Sequence, residues 1–404
     1  MTIGATTARF GDARVIGLVS GGHFFSHFYG LALPPLFPLL KAEFGVGYAA
    51  LGLLVSVMSL ASGIAQVPVG FLVDRFGAAR FLILGITVQA SATLLMGLAP
   101  SYWVLLAFMV MAGLGNCVYH PADYAILSAT VRHERLGRAF SVHTFAGHVG
   151  WALAPAVIGA LATVIGWRAG LVAVGSVGLV AAMVIAINRG GLRSTPASGG
   201  EVTPGQAGIR LLLSSPIVMC FLFYVLIATG SGGFYNFLVS ALVAGFDTPF
   251  AAATAGLTAF FMGSASGILV GGVLADRTAR YGTIAVVGFG ASSLLISIIG
   301  AVGLAPVPLL GVLALAGFAN GLVPPSRDLM VRSVTPPGAT GRVFAFVSVG
   351  FDVGGVATPL VYGWIMDTGD VRWVFWLTAL LQLVAIVTVL GARRGAVQVA
   401  SRPG

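Results

Sequence analysis

Charge is what this sequence has least of. Only 8% of its 404 residues are Asp, Glu, Lys or Arg, against about 25% in water-soluble domains. That excludes a surface solvated on every side. Cysteine is nearly absent too: Cys117 and Cys220 both sit in apolar stretches, so no disulfide framework is expected. No small-residue cleavage site follows the polar opening MTIGATTARFGDAR, so the apolar segment after it reads as a retained first span and not as a signal peptide. Enzyme signatures are missing as well. There is no His-Glu-x-x-His metal motif, no nucleotide-binding glycine loop after a strand and no arginine cluster of a lipid-phosphate enzyme. A non-enzymatic protein without a cofactor is the expectation.

What the sequence has is apolar length. Hydrophobic residues make up 58%, and mean hydropathy is +1.00. A spanning helix needs about 20 mostly apolar residues, and twelve such stretches can be marked. They are 13–39, 48–73, 81–99, 103–128, 139–163 and 169–188, then 213–244, 250–275, 283–303, 306–331, 343–366 and 373–392. The formal charge of +9 does not point to nucleic acid, because the arginines gather in alternate joints between spans. One set of joints collects Arg75, Arg80, Arg132, Arg135, Arg138, Arg189 and their like, while the other has Lys41, Arg168 and Arg372. This is the positive-inside signature, and it puts both termini in the cytoplasm.

The stretch 189–210 is rich in Gly, Pro and Ser and falls near mid-chain. It reads as a cytoplasmic linker between a first six-helix bundle, 1–188, and a second, 211–404. The halves repeat each other. At an offset of 202, Gly70, Asp74 and Arg75 fall on Gly272, Asp276 and Arg277. At an offset of 204, Asn116 falls on Asn320, Pro155 on Pro359 and Arg168 on Arg372. Transporters are commonly built from such repeats, with the substrate site near the midplane.

Gly70-Phe-Leu72-Val-Asp74-Arg75-Phe-Gly77-Ala-Ala-Arg80, with its weaker copy at Gly272–Arg277, resembles the loop motif of the major facilitator superfamily. The resemblance implies an all-α integral membrane fold of twelve transmembrane helices in two pseudo-symmetric bundles. It also implies gating by Asp74, Arg75, Arg80, Asp276 and Arg277, where an aspartate faces a helix N-terminus and arginines pair with acids or carbonyls. Ser26-His27 and the run from Gly113-Leu-Gly115-Asn116 through His120-Pro121 resemble the fosmidomycin-resistance branch, although Leu31 stands where that branch carries an acid. Gly147, Gly150 and Pro155 are similar to the glycine-proline pattern of antiporters, with Ala154 in place of a glycine.

Ionisable groups inside spans are costly and mark functional sites. Here they are His23, His27, His120, His143, His148, Asp123, Arg327, Asp328 and Asp352. At 1.5 Å per residue, His23 lies about 13 Å in from Arg14, His27 about 19 Å, and His148 and Asp352 each about 15 Å from Arg138 and Arg342. His143 lies only about 7.5 Å from Arg138 and is expected to reach the interface. Under the repeat, His148 and Asp352 are equivalents, and Asp123 with Arg327 forms a candidate charge pair. Arg327 can otherwise snorkel toward the cytoplasm. Pro34, Pro35 and Pro38, and Pro324-Pro325, should break helical hydrogen bonding within spans. Tyr235 and Asn236 are further candidate substrate contacts, and Trp103, Trp167 and Trp373 candidate interface anchors.

The expected function is secondary active transport of a small organic solute, anionic if Arg327 binds it. It would be proton-coupled through histidine and aspartate, with export favoured. The expected setting is a monomer in the bilayer of the bacterial inner membrane, with no nucleic-acid partner. The alternatives are an uptake symporter, or a divalent metal ion transporter in which His23, His27, His120, His148 and Asp352 are the donors. No dedicated metal site is expected on the first reading.

Overall fold

The computed structural model describes residues 11–132, 135–192, 211–278, 281–335 and 340–400. Among these residues there are helices and turns and no strand. Ten helices are long and apolar enough to cross a membrane. Asp12–Gly30 and the apolar Trp373–Thr388 complete the twelve. Asp12–Gly30 is the least apolar span because its 19 residues carry Asp12, Arg14, His23 and His27.

Three expected spans are interrupted where the sequence placed prolines or its repeated asparagine. The first stops at Gly30, turns through a 3-10 segment Pro34–Leu36, and resumes as Phe37–Phe44. Pro34 and Pro35 have no N–H to continue the ladder. The fourth divides into Tyr102–Asn116 and Tyr119–Thr130, and the tenth into Pro306–Gly321 and Val323–Ser333. Pro324 and Pro325 occupy the first turn of that last helix, where a missing N–H costs little. Of the linker, Arg189–Gly191 forms a 3-10 turn, and 193–210 lies outside the described residues.

The chain divides into two compact units: Met1–Leu36 with Val57–Glu201, and Phe37–Ser56 with Val202–Gly404. The stretch 37–56 therefore groups with the second unit, unlike a division at the linker alone. Its contacts explain why. The Asp367 carboxylate accepts the backbone N–H groups of Tyr48 at 2.7 Å and Ala49 at 2.8 Å, with Lys41 Nζ at 3.7 Å. A carboxylate there satisfies two of the open donors at the start of helix Tyr48–Phe76 and opposes its dipole. Ser56 Oγ then donates to the Val356 carbonyl at 2.7 Å.

Within the second unit, Phe250–Arg277 and Pro306–Gly321 pack backbone against backbone. Gly263 and Gly267 face the carbonyls of Ala314 and Phe318, while Gly317 and Gly321 face those of Phe260 and Ser264. Small residues four apart on both helices permit this approach, which replaces the hydrophobic drive that lipid does not supply. Outward positions are apolar, among them Ile64 at 68% exposure and Val177 at 58%. Trp103 and Trp373 are exposed as interface anchors require, but Trp167 is buried. It packs with Arg168, whose guanidinium lies 4.4 Å from the Trp167 ring and donates to the Ala99 carbonyl at 2.7 Å.

A Cβ at Gly317 would stand 1.9 Å from the Phe260 carbonyl oxygen, whereas Gly311 on the same helix has nothing within 4 Å. Gly317→Val should lower the thermal midpoint of the detergent-purified protein, at an overpacking cost of about 1–3 kcal/mol. Gly311→Ala should leave it within a degree of wild type.

Candidate functional site

The first unit gathers its intramembrane histidines around one carboxylate. Asp123 is wholly buried, as are His23 and His143 at 3% and 1% exposure. Asp123 Oδ2 lies 2.9 Å from His143 Nε2 and 3.5 Å from His23 Nδ1. The two imidazoles stack with ring centres 3.7 Å apart. Around this core, His27 lies 4.5 Å and His120 5.3 Å from His23, ring centre to ring centre. His27 also packs 4.2 Å from Trp151, and His148 5.5 Å from the same indole. His120 reaches the surface of the unit, so a chain of imidazoles runs from that surface to the buried carboxylate.

Local sequence makes this assembly possible. His23 and His27 are four apart on helix Asp12–Gly30 and so share a face. Helix Leu136–Val164 meets that face through Gly147 and Gly150. A Cβ at Gly147 would sit 2.9 Å from the His23 ring, and one at Gly150 would sit 2.4 Å from the Phe24 carbonyl. Asp123 and His120 come from Tyr119–Thr130, directly after the helix break. Asn116 fixes that break. Its Oδ1 accepts from Ser26 Oγ at 3.0 Å, and its Nδ2 donates to Ser62 Oγ at 3.2 Å. The register between the Asp12–Gly30 helix and the break is thereby set by side-chain hydrogen bonds.

A buried carboxylate is tolerated only when it is paired and hydrogen-bonded. Asp123 meets this through His143, yet its Oδ1 and the Nδ1 of His23 have no hydrogen-bond partner. The cluster is therefore polar and incompletely satisfied. One ring nitrogen each of His23 and His143 and an Asp123 oxygen also lie within 4.8 Å of one another, close enough to converge on a cation.

The sequence-derived list is thus brought together in part. His23, His27, His120, Asp123 and His148 form one neighbourhood, and His143 is buried at its centre. Depth counted along Leu136–Val164, 29 residues or about 43 Å long, carries no information on how far neighbouring helices bury His143. Burial there comes from neighbouring helices, not from lipid depth. Trp151 was not foreseen; its place four residues beyond Gly147 on a histidine-bearing face was the available signal.

The second unit holds the remaining candidates. The Arg327 guanidinium lies over Tyr224 at 4.8 Å and Phe351 at 5.3 Å, so its stem and charge rest on aromatic faces. Asp123 and Arg327 each find partners inside their own unit. Asp352 is exposed on helix Thr340–Thr368. Asn236 Nδ2 donates to the Gly232 carbonyl of its own helix at 2.8 Å, and the Tyr235 ring packs 4.7 Å from Phe261. These two are engaged locally. Asp74, Arg75, Arg80 and Arg277 are exposed at helix ends, Arg75 lying 5.2 Å over the Phe76 ring. The side chains of Asp276 and Asp328 lie outside the described residues.

Comparison with known proteins places this geometry. The Fosmidomycin resistance protein of Escherichia coli (strain K12) is 23% identical over 397 residues, covering 95% of this chain and 94% of that one. The Probable L-galactonate transporter of the same organism is 28% identical over 144 residues, 36% of this chain and 32% of its own length. The Multidrug resistance protein MdtH of Klebsiella pneumoniae (strain ATCC 700721 / MGH 78578) is 32% identical over 130 residues, 31% of each chain. Thus the chain spans about a third of the length of two of these relatives and nearly all of the third. Among solved structures, a bacterial homolog of the human lysosomal transporter Spinster superposes with TM-score 0.79 at 14% identity, covering 96% of this chain and 98% of that one. The nucleoside transporter NupG does so with TM-score 0.76 at 13% identity, covering 94% and 99%. A sequence model described as Major Facilitator Superfamily matches residues 19–291 and 224–403. With its twelve membrane helices, this transporter chain belongs to the Major Facilitator Superfamily.

Proposed function

We propose that this chain is a proton-coupled secondary transporter of a small organic solute, acting as a monomer in the bacterial inner membrane with both termini cytoplasmic. The observation that carries the reading is the Asp123 carboxylate, fully buried and held by His143 and His23. With one proton on an imidazole the cluster is neutral overall. Losing that proton would leave a bare carboxylate in an apolar bundle, at a cost of several kcal/mol. On this reading, protonation of the cluster is tied to the access of water and so to the conformation of the helices around it. His120 and His27 extend the cluster outward, and His148 beyond them.

Export is the favoured direction. The full-length match to a protein named for fosmidomycin resistance, and the partial match to one named for multidrug resistance, support it. An anionic solute group is the class suited to Arg327, whose charge is backed by two aromatic rings. Asp352, His27 and His148 are the further groups assigned to protonation and substrate contact.

A second reading has its own observation. One ring nitrogen each of His23 and His143 and an Asp123 oxygen converge within 4.8 Å, and nitrogen and carboxylate donors around an ion at about 2.0–2.2 Å suit a divalent transition metal. This donor set differs from the one that spacing along the sequence assembled, since it takes in His143 and Asp123. On this reading the metal ion is the cargo.

Two experiments separate the readings. In proteoliposomes, Asp123→Asn and His143→Gln should reduce pH-driven flux by about 10-fold or more, as loss of an essential proton-transfer group does. Solute exchange without net proton movement should survive. Alanine at His148 or Asp352 should likewise abolish driven transport in folded protein. Wild-type driven rates in all four variants would overturn the coupling assignment. In a thermal ramp of purified protein, zinc should leave the midpoint unchanged if the solute reading holds. Stabilisation by zinc that disappears in His143→Gln would put the metal reading first.

A further inference from the structure

Apart from the histidine cluster and the Arg327 face, there is a cavity in the first unit that takes one wall from the end of the 70–80 loop motif. It has a volume of about 430 Å³ and is lined by Phe76, Gly77, Ala79, Arg80, Arg189, Gly190 and Leu192. That size falls within the range of small-ligand sites. Two of its walls are guanidinium-bearing, and no Asp or Glu is among the lining residues. Both arginines are exposed, one at the start of helix Ala78–Met96 and the other in the 3-10 turn Arg189–Gly191. The helix start at Gly77 has no side-chain cap, so its first N–H groups add to the positive potential of the arginines.

The surroundings select the occupant. From Arg80 the exposed face of its helix continues one turn on to Leu84, 52% exposed. From Arg189 the preceding helix exposes Ile187 at 75%, Met183 at 56% and Val180 at 55%. A charged cavity is thus flanked on both helices by exposed apolar residues, Leu84 one turn from Arg80 and Ile187 two residues from Arg189. A soluble anion would use only the first of these features, whereas an anionic phospholipid uses both. Basic pockets at the membrane surface between transmembrane helices are suited to phosphate headgroups, and Arg binds phosphate oxygens in a bidentate manner.

We infer that this cavity is a binding site for the phosphate headgroup of an anionic phospholipid, with Arg80 and Arg189 as its ligands and the Leu84 and Ile187 faces receiving an acyl chain. The site lies where the first bundle passes into the linker. An occupant there ties the end of helix Trp167–Ile187 to the start of Ala78–Met96. The inference is independent of which solute or ion the protein carries.

The test is thermal stability of the full chain, stripped of lipid in a neutral detergent, with three additions. Phosphatidylglycerol should raise the midpoint by several degrees, while phosphatidylethanolamine and inorganic phosphate should not. The shift should fall by more than half in Arg189→Gln, be retained in Arg189→Lys and vanish in Arg80→Gln/Arg189→Gln. Mass spectrometry of lipid carried through purification should show phosphatidylglycerol depleted in the double variant, a reading that does not depend on its melting behaviour. Equal shifts with both lipids, or a full phosphatidylglycerol shift in the double variant, would overturn the inference. An equal shift with inorganic phosphate would reassign the cavity to soluble anions.

Discussion

A carboxylate placed inside an apolar bundle must be neutralised where it stands. Asp123 stands against His143 at 2.9 Å and His23 at 3.5 Å, and much of the first unit's construction serves those contacts. Helix Asp12–Gly30 can bring His23 in only because Gly147 and Gly150 let it lie close to Leu136–Val164. Asp123 itself begins a new helical segment after the break that Asn116 fastens to Ser26 and Ser62. Deleting either glycine's hydrogen for a methyl would separate the imidazoles from the acid. The acid would then need water or a proton of its own. Ionisable groups held inside a membrane bundle are costly, so their gathering in one place marks this part of the first unit as its candidate site.

The second unit solves its charge problem differently. Arg327 is supported by Tyr224 and Phe351, a planar cation on aromatic faces, with no histidine present in that half of the sequence. The repeat has thus kept the architecture, including the helix break at Asn116 and Asn320, while the chemistry diverged. Pseudo-symmetry places equivalent positions at equivalent depths. The contacts seen for Asp123 and for Arg327 within their own units are of different kinds, imidazoles for the one and aromatic faces for the other.

Close backbone packing recurs as the means of holding helices together. Gly263, Gly267, Gly317 and Gly321 bring two helices to van der Waals distance of each other's carbonyls. With lipid as solvent, apolar side chains gain nothing from burial that they lack outside, so shape and hydrogen bonds decide association. The Asp367 cap on Tyr48 and Ala49 belongs to the same economy, since an uncapped helix start within protein would leave donors unpaired.

The sequence by itself determined the solvent, the number of spans, the repeat and the family. These follow from composition and from periodicity over some twenty residues at a time, which lipid enforces regardless of tertiary detail. It also singled out the ionisable groups that gather around Asp123, because such groups in spans are rare enough to stand out one by one. Only the tertiary structure decided which of them touch. His143 appeared peripheral when depth was counted along a single helix, and it became central once Tyr119–Thr130 was packed beside it. Stretch 37–56 moved to the second unit because Asp367, more than 300 residues away, accepts its backbone donors. Contacts between helices depend on rotation and register, and those are set by small residues and buried hydrogen bonds whose partners are distant in the chain.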